Sequence, residues 1–72
     1  MSAQQTTGTS DPTYDLVSVL YHALHGVETY EQYVPDAEEQ GDRELADFLR
    51  EVQDRNREIA DRAKELLRKQ LG

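Results

Sequence analysis

From Glu44 to Leu71 the chain repeats itself every seven residues: ELADFLR, EVQDRNR, EIADRAK, ELLRKQL. Apolar side chains recurring at that period mark one side of an α-helix lying along another helix. Leu45, Val52, Ile59 and Leu66 form one core column of the repeat, and Leu49, Asn56, Ala63 and Gln70 form the other. Around them Glu51–Arg55, Glu58–Arg62 and Glu65–Lys69 stand at i,i+4 in the favourable order, each pair contributing about 0.2–0.5 kcal/mol. Arg68 and Lys69 suit the negative end of the helix dipole. The repeat predicts a helix over about 43–71 and is a packing signal, not a catalytic one.

Its packing partner lies upstream. Asp11 is placed to cap a helix, Pro12 fits the first helical position and Asp15 complements the dipole. Leu16, Leu20, Ala23, Val27, Tyr30, Val34 and Ala37 then alternate at four and three residues, a stripe along a helix of about 12–40. The stripe is broad, because Val17, Val19, Leu24, Gly26 and Tyr33 flank it. Pro35 falls inside the pattern and is expected to kink the helix or end it near Val34, with PDAEEQ at 35–40 forming a last turn or so. At the break, Gly41 can take the left-handed conformation that stops one helix, and Asp42 can cap the next.

With so short a turn the two helices must lie antiparallel, setting Leu16 near Leu66, Ala23 near Ile59 and Val34 near Phe48 or Leu49. One neighbour cannot cover the wide face of the first helix. The expected architecture is therefore all-α: a two-helix hairpin over 11–72 that dimerises into a four-helix bundle with the first helix at its centre. Leu16, Leu20, Val27, Tyr30 and Ile59 are the expected interface, with Asn56 as the polar residue that fixes register.

Size and charge narrow the function. The chain has 72 residues, and the first ten, MSAQQTTGTS, carry no charge and no apolar period, which predicts a disordered tail. A core of about 60 residues usually needs a disulfide, a metal or a partner subunit. Cysteine is absent, which removes disulfides and thiolate sites. The net charge is −7, and residues 1–41 hold seven acids and no Lys or Arg. Such a field disfavours nucleic acid and anionic membranes as partners. No apolar run approaches a membrane span, and no signal pattern opens the chain, so a soluble cytoplasmic protein is expected.

The candidate chemistry sits in HALHGVETYE, residues 22–31, which holds both histidines and two carboxylates. On a helical wheel His25 points away from the stripe, while His22 and Glu28 lie about 120° off it on opposite flanks. His22 and His25 are i,i+3 and could share a metal, or they are solvated side chains or rim residues of the dimer interface. Glu31 lies about 60° from the stripe centre, where a carboxylate is costly unless paired or ligating. An ion pair with an Arg of the second helix, for example Arg55, or simple snorkelling at the rim is one reading of it, and a metal shared with a second copy is the other. The tyrosines at 14, 21, 30 and 33 read as core and rim. No Ser–His–acid set or phosphate-binding loop is present, and Gly26 alone means close helix approach.

YHALHGVETYEQY, an acidic hinge, then ELADFLREVQDRNREIADRAKELL resembles the helical hairpins of the ferritin-like superfamily. It looks most like the encapsulated-ferritin and rubrerythrin-type half-bundles. The resemblance covers roughly residues 14–68 and rests on helix length, on Tyr30-Glu31-Gln32 and on the Glu-Leu start of the second helix. It implies a four-helix bundle made by dimerisation. In that superfamily a Glu of the first helix and a Glu-x-x-His of the second bind two irons. Here Ala23 stands in the first place and Asn56 and Ile59 in the second, and the second helix has no histidine. The expected function is thus a non-catalytic, acidic, dimeric protein that acts through protein–protein contacts without a cofactor. The alternative is a di-metal carboxylate protein holding iron or manganese through Glu28, Glu31 and His22 or His25 across the dimer.

Overall fold

A computed structural model describes residues 11–72 of the chain. The tail assigned to residues 1–10 lies outside the described residues. Two α-helices, α1 (Pro12–Glu39) and α2 (Arg43–Leu71), pack against each other as an antiparallel hairpin.

Each end has a local cause. Asp11 accepts from the backbone N–H groups of Thr13 and Tyr14 at 3.1 and 3.2 Å, satisfying two of the free donors at the helix start. At the hinge, Gly41 N–H reaches the Glu38 carbonyl at 2.9 Å and Asp42 N–H the Ala37 carbonyl at 3.0 Å. That pair of bonds is the Schellman motif, and it needs a left-handed residue at its turn. Gly41 supplies it with φ of 75°. Asp42 then caps α2 by accepting from Leu45 N–H at 3.0 Å.

Pro35 neither ends α1 nor shortens it to Val34; the helix runs through it to Glu39. A proline so close to a helix end takes away one hydrogen bond while a single turn remains beyond it. Val34 and Ala37, on either side, are buried against α2, and that packing holds the last turn.

The seam between the helices is built from small side chains. Among the described residues, the buried apolar side chains are Ala23, Val34, Ala37, Ala46, Ala60 and Ala63. Gln53 is buried with them, 7% exposed, and its Nε2 donates to the Val27 carbonyl across the seam at 2.9 Å. On α2 the column facing α1 is therefore Ala46, Gln53 and Ala60, beside Leu49, Asn56 and Ala63. The expected column of Leu45, Val52, Ile59 and Leu66 lies one position off, with Leu45 43% and Ile59 47% exposed and Val52 and Leu66 half-buried. The reason is steric. Alanines allow α1 and α2 to approach closely, and Gly26 completes that approach: a Cβ there would meet Asn56 Nδ2 at 2.6 Å.

Surface ion pairs also differ from the expected spacing. Glu51–Arg55 forms at 3.1 Å, but Arg62 turns forward to Glu65 at 2.8 Å, away from Glu58, and occupies the carboxylate expected for Lys69. Arg50 bonds Asp47 on its own helix and Glu38 on α1. All these groups are exposed, so each pair adds at most about 1 kcal/mol. No helix among the described residues is long and apolar enough to cross a membrane.

Candidate functional site

The hairpin has two broad sides and an outer edge, and their chemistry differs. One side carries the Arg50–Glu38 bridge, close to the hinge. The other is an apolar groove between the helices. Toward the hinge Tyr33 and Ala37 of α1 face Leu45 and Leu49 of α2, and toward the open end Val19, His22 and Ala23 face Asn56 and Ile59. Ala23 and Ile59 do come together there, the pairing set by folding the chain about the hinge. Val52 belongs to the same column of α2 by its seven-residue spacing from Leu45 and Ile59. Asp36 and His22 are the charged or titratable side chains on the rim of this groove.

Helix α2 carries side chains toward α1 at three adjacent heptad positions, and α1 covers the alanine-rich pair most fully. The large side chains of the third column, Leu45, Val52, Ile59 and Leu66, are left at the edge of the seam.

The outer edge of α1 holds most of the candidate metal residues. Tyr21, Leu24, His25, Val27, Glu28 and Glu31 line one shallow concavity, all from α1. His25 stacks on the Tyr21 ring, centroids 5.9 Å apart and 8° between planes, and His22 meets the same ring edge-on at 5.3 Å. His22 then faces the groove, on the other flank from Glu28 and Glu31. Among the described residues no three His, Cys, Asp or Glu side chains are grouped so as to hold a metal ion. Glu31 is exposed, so the cost that called for a partner does not arise, and Arg55 pairs with Glu51 instead.

The remaining interface candidates, Leu16, Leu20, Val27, Tyr30 and Asn56, are half-buried along the seam. Asn56 packs on Gly26, while the interhelix hydrogen bond belongs to Gln53. Sequence reasoning passes over Gln53. Its signal is the Ala46, Gln53, Ala60 column of small residues broken once by an amide.

No protein-family model matches the chain, no curated protein matches it, and no solved structure matches it.

Proposed function

We propose that this chain is a non-catalytic interaction protein: a hairpin of ferritin-like type that pairs with a second copy across the apolar groove to make a four-helix bundle. The observation that carries the reading is the third heptad column of α2, large and apolar yet only partly covered by α1, with Leu45 and Ile59 exposed and Val52 and Leu66 half-buried. Only small alanines, Val34 and Gln53 are buried within the hairpin, a thin core for helices of this length. A two-helix face about 42 Å long and about 20 Å wide offers on the order of 800 Å² per copy, the share one partner contributes to a standard interface. The missing Glu-x-x-His on α2 and the scattered carboxylates of α1 support a scaffold over a catalyst.

Light scattering at micromolar concentration tests it. The expected mass is about twice the 8.3 kDa chain, and Ile59→Ser should return it to that of one chain. A native protein that stays monomeric overturns the reading.

The competing reading, iron or manganese held across the dimer, is favoured by one feature: His25, Glu28 and Glu31 share a concavity. A second copy would have to complete the ligand set, since the described residues of one chain do not. Native mass spectrometry of untagged protein separates the two. Stoichiometric metal that is lost in Glu31→Ala would establish the metal site and displace the scaffold.

A further inference from the structure

Every Lys and Arg of this chain stands on one helix. Helix α1 carries six carboxylates and no Lys or Arg, while α2 carries seven carboxylates and eight Lys or Arg, so their formal charges are −6 and +1. Two aligned hairpins related by a two-fold axis can meet face to face in two ways. With the axis across the helices, α1 lies on the partner's α1. With the axis along them, α1 lies on the partner's α2 and the two copies of α1 fall on the diagonal. The first makes neighbours, about 10 Å apart, of two helices that hold no Lys or Arg. Sliding one along the other brings in no such cation, so the repulsion holds in every register. The second sets them about 14 Å apart, where more of the repulsion is screened, and gives each a helix with basic side chains as its neighbour.

We infer that the second copy docks across the groove with its α2 against α1, so that the order around the bundle is α1, α2, partner α1, partner α2. The inference rests on the dimer reading and adds which helices meet. It departs from a bundle with the first helix at its centre, because the breadth of an apolar stripe takes no account of charge. An axis along the helices also forbids sliding, so the levels within one hairpin hold across the interface. Thr13 Oγ1 donates to Gln70 Oε1 at 3.2 Å, which puts Asp15 at the level of Arg68 and Lys69. Asp15 lies on the groove flank of α1, seven residues before His22, and Lys69 on the groove flank of α2, three residues past Leu66 of the third column. Both are exposed, and neither takes part in an ion pair among the described residues. Asp15 of each copy then meets the partner's Lys69, twice in each dimer. Between these ends His22 and Thr29 face the partner's Arg62 and Arg55, whose carboxylate partners are Glu65 and Glu51 of their own helix.

Mixing two charge variants of the full chain tests the geometry. Lys69→Glu alone and Asp15→Lys alone should each dimerise about tenfold more weakly, since both contacts of either homodimer become like-charged. Mixed at equal concentration, they should form a heterodimer that outnumbers the homodimers by at least about fivefold in native mass spectrometry, because both contacts are opposite-charged only there. A change confined to one hairpin cannot produce that preference. Cross-linking gives a second readout, clean because the chain has no Cys. Asp15→Cys chains mixed with Lys69→Cys chains should oxidise to a mixed disulfide, and Asp15→Cys chains mixed with Asp36→Cys chains should not. Random pairing of the charge variants, or a disulfide between positions 15 and 36 and none between 15 and 69, overturns the inference and leaves the dimer standing. A one-chain mass of the native protein removes the dimer reading, and this geometry with it.

Discussion

Gly26 and Asn56 meet where the helices come closest, and their contact gives the sharpest residue-level test. Alanine is favoured over glycine inside a helix by about 1 kcal/mol, but a Cβ at position 26 would press on Asn56 Nδ2 at 2.6 Å and Cγ at 3.2 Å. Gly26→Ala should therefore be less favourable with Asn56 present than in an Asn56→Ala background, where it should stabilise by about 1 kcal/mol. Equal effects in both backgrounds, read from urea unfolding, would mean that the two side chains do not compete for space. Gln53 makes a different case. Gln53→Ala loses the bond to the Val27 carbonyl and opens a cavity, for an expected cost of about 1–2 kcal/mol. Gln53→Leu should recover most of that, because the Val27 carbonyl keeps its own helical partner and is not left unsatisfied. If the leucine variant were as unstable as the alanine one, the amide would matter for more than volume. Neither contact could be read from sequence in full. Gly26 announced close approach, but the side chain across from it depends on which heptad column faces inward.

The two helices were legible because each carries both a period and caps: the 4-3 alternation after Asp11-Pro12, and the seven-residue repeat after Asp42. The column that packs inward was not legible. Apolar residues at three adjacent heptad positions fit either of two seams, and the choice falls to side-chain size, which lets alanines bring the axes closer than leucines could. The tolerance of Pro35 was hidden for a similar reason: its local cost is outweighed by the burial of Val34 and Ala37 around it. Replacing it tests this balance. Pro35→Ala restores a backbone donor within an already helical segment and should raise stability by about 1–3 kcal/mol; an unchanged melting curve would show that the last turn of α1 contributes nothing. The hinge gives the opposite sign. Gly41 has φ of 75°, and a Cβ at that position would meet no other atom within 4 Å, so only backbone strain opposes substitution. Gly41→Ala should cost about 1–2 kcal/mol, with Gly41→Asn costing less because asparagine visits the left-handed region more readily. Similar losses for both would place the cost elsewhere than in φ.

For the molecule as a whole, stability and assembly should be one measurement. A hairpin whose buried apolar side chains are alanines and a single valine gains little from burial for each residue it orders. The apolar area that could make up the difference, along Leu45, Val52 and Ile59, becomes dry only when another chain covers it. If that chain is a second copy, unfolding consumes a dimer and yields two free chains, and mass action makes the midpoint depend on concentration. A tenfold change in concentration shifts such an equilibrium by about 1.4 kcal/mol, which for two chains of this size moves Tm by roughly 5 °C. Thermal melts at about 1, 10 and 100 μM should climb by that step in the native protein. In Ile59→Ser the melts should start lower and stay level, since a hairpin that unfolds alone has no concentration term. A native Tm that does not move across this range would mean that the alanine seam suffices for a single chain, and the third column of α2 would then be free for a different protein.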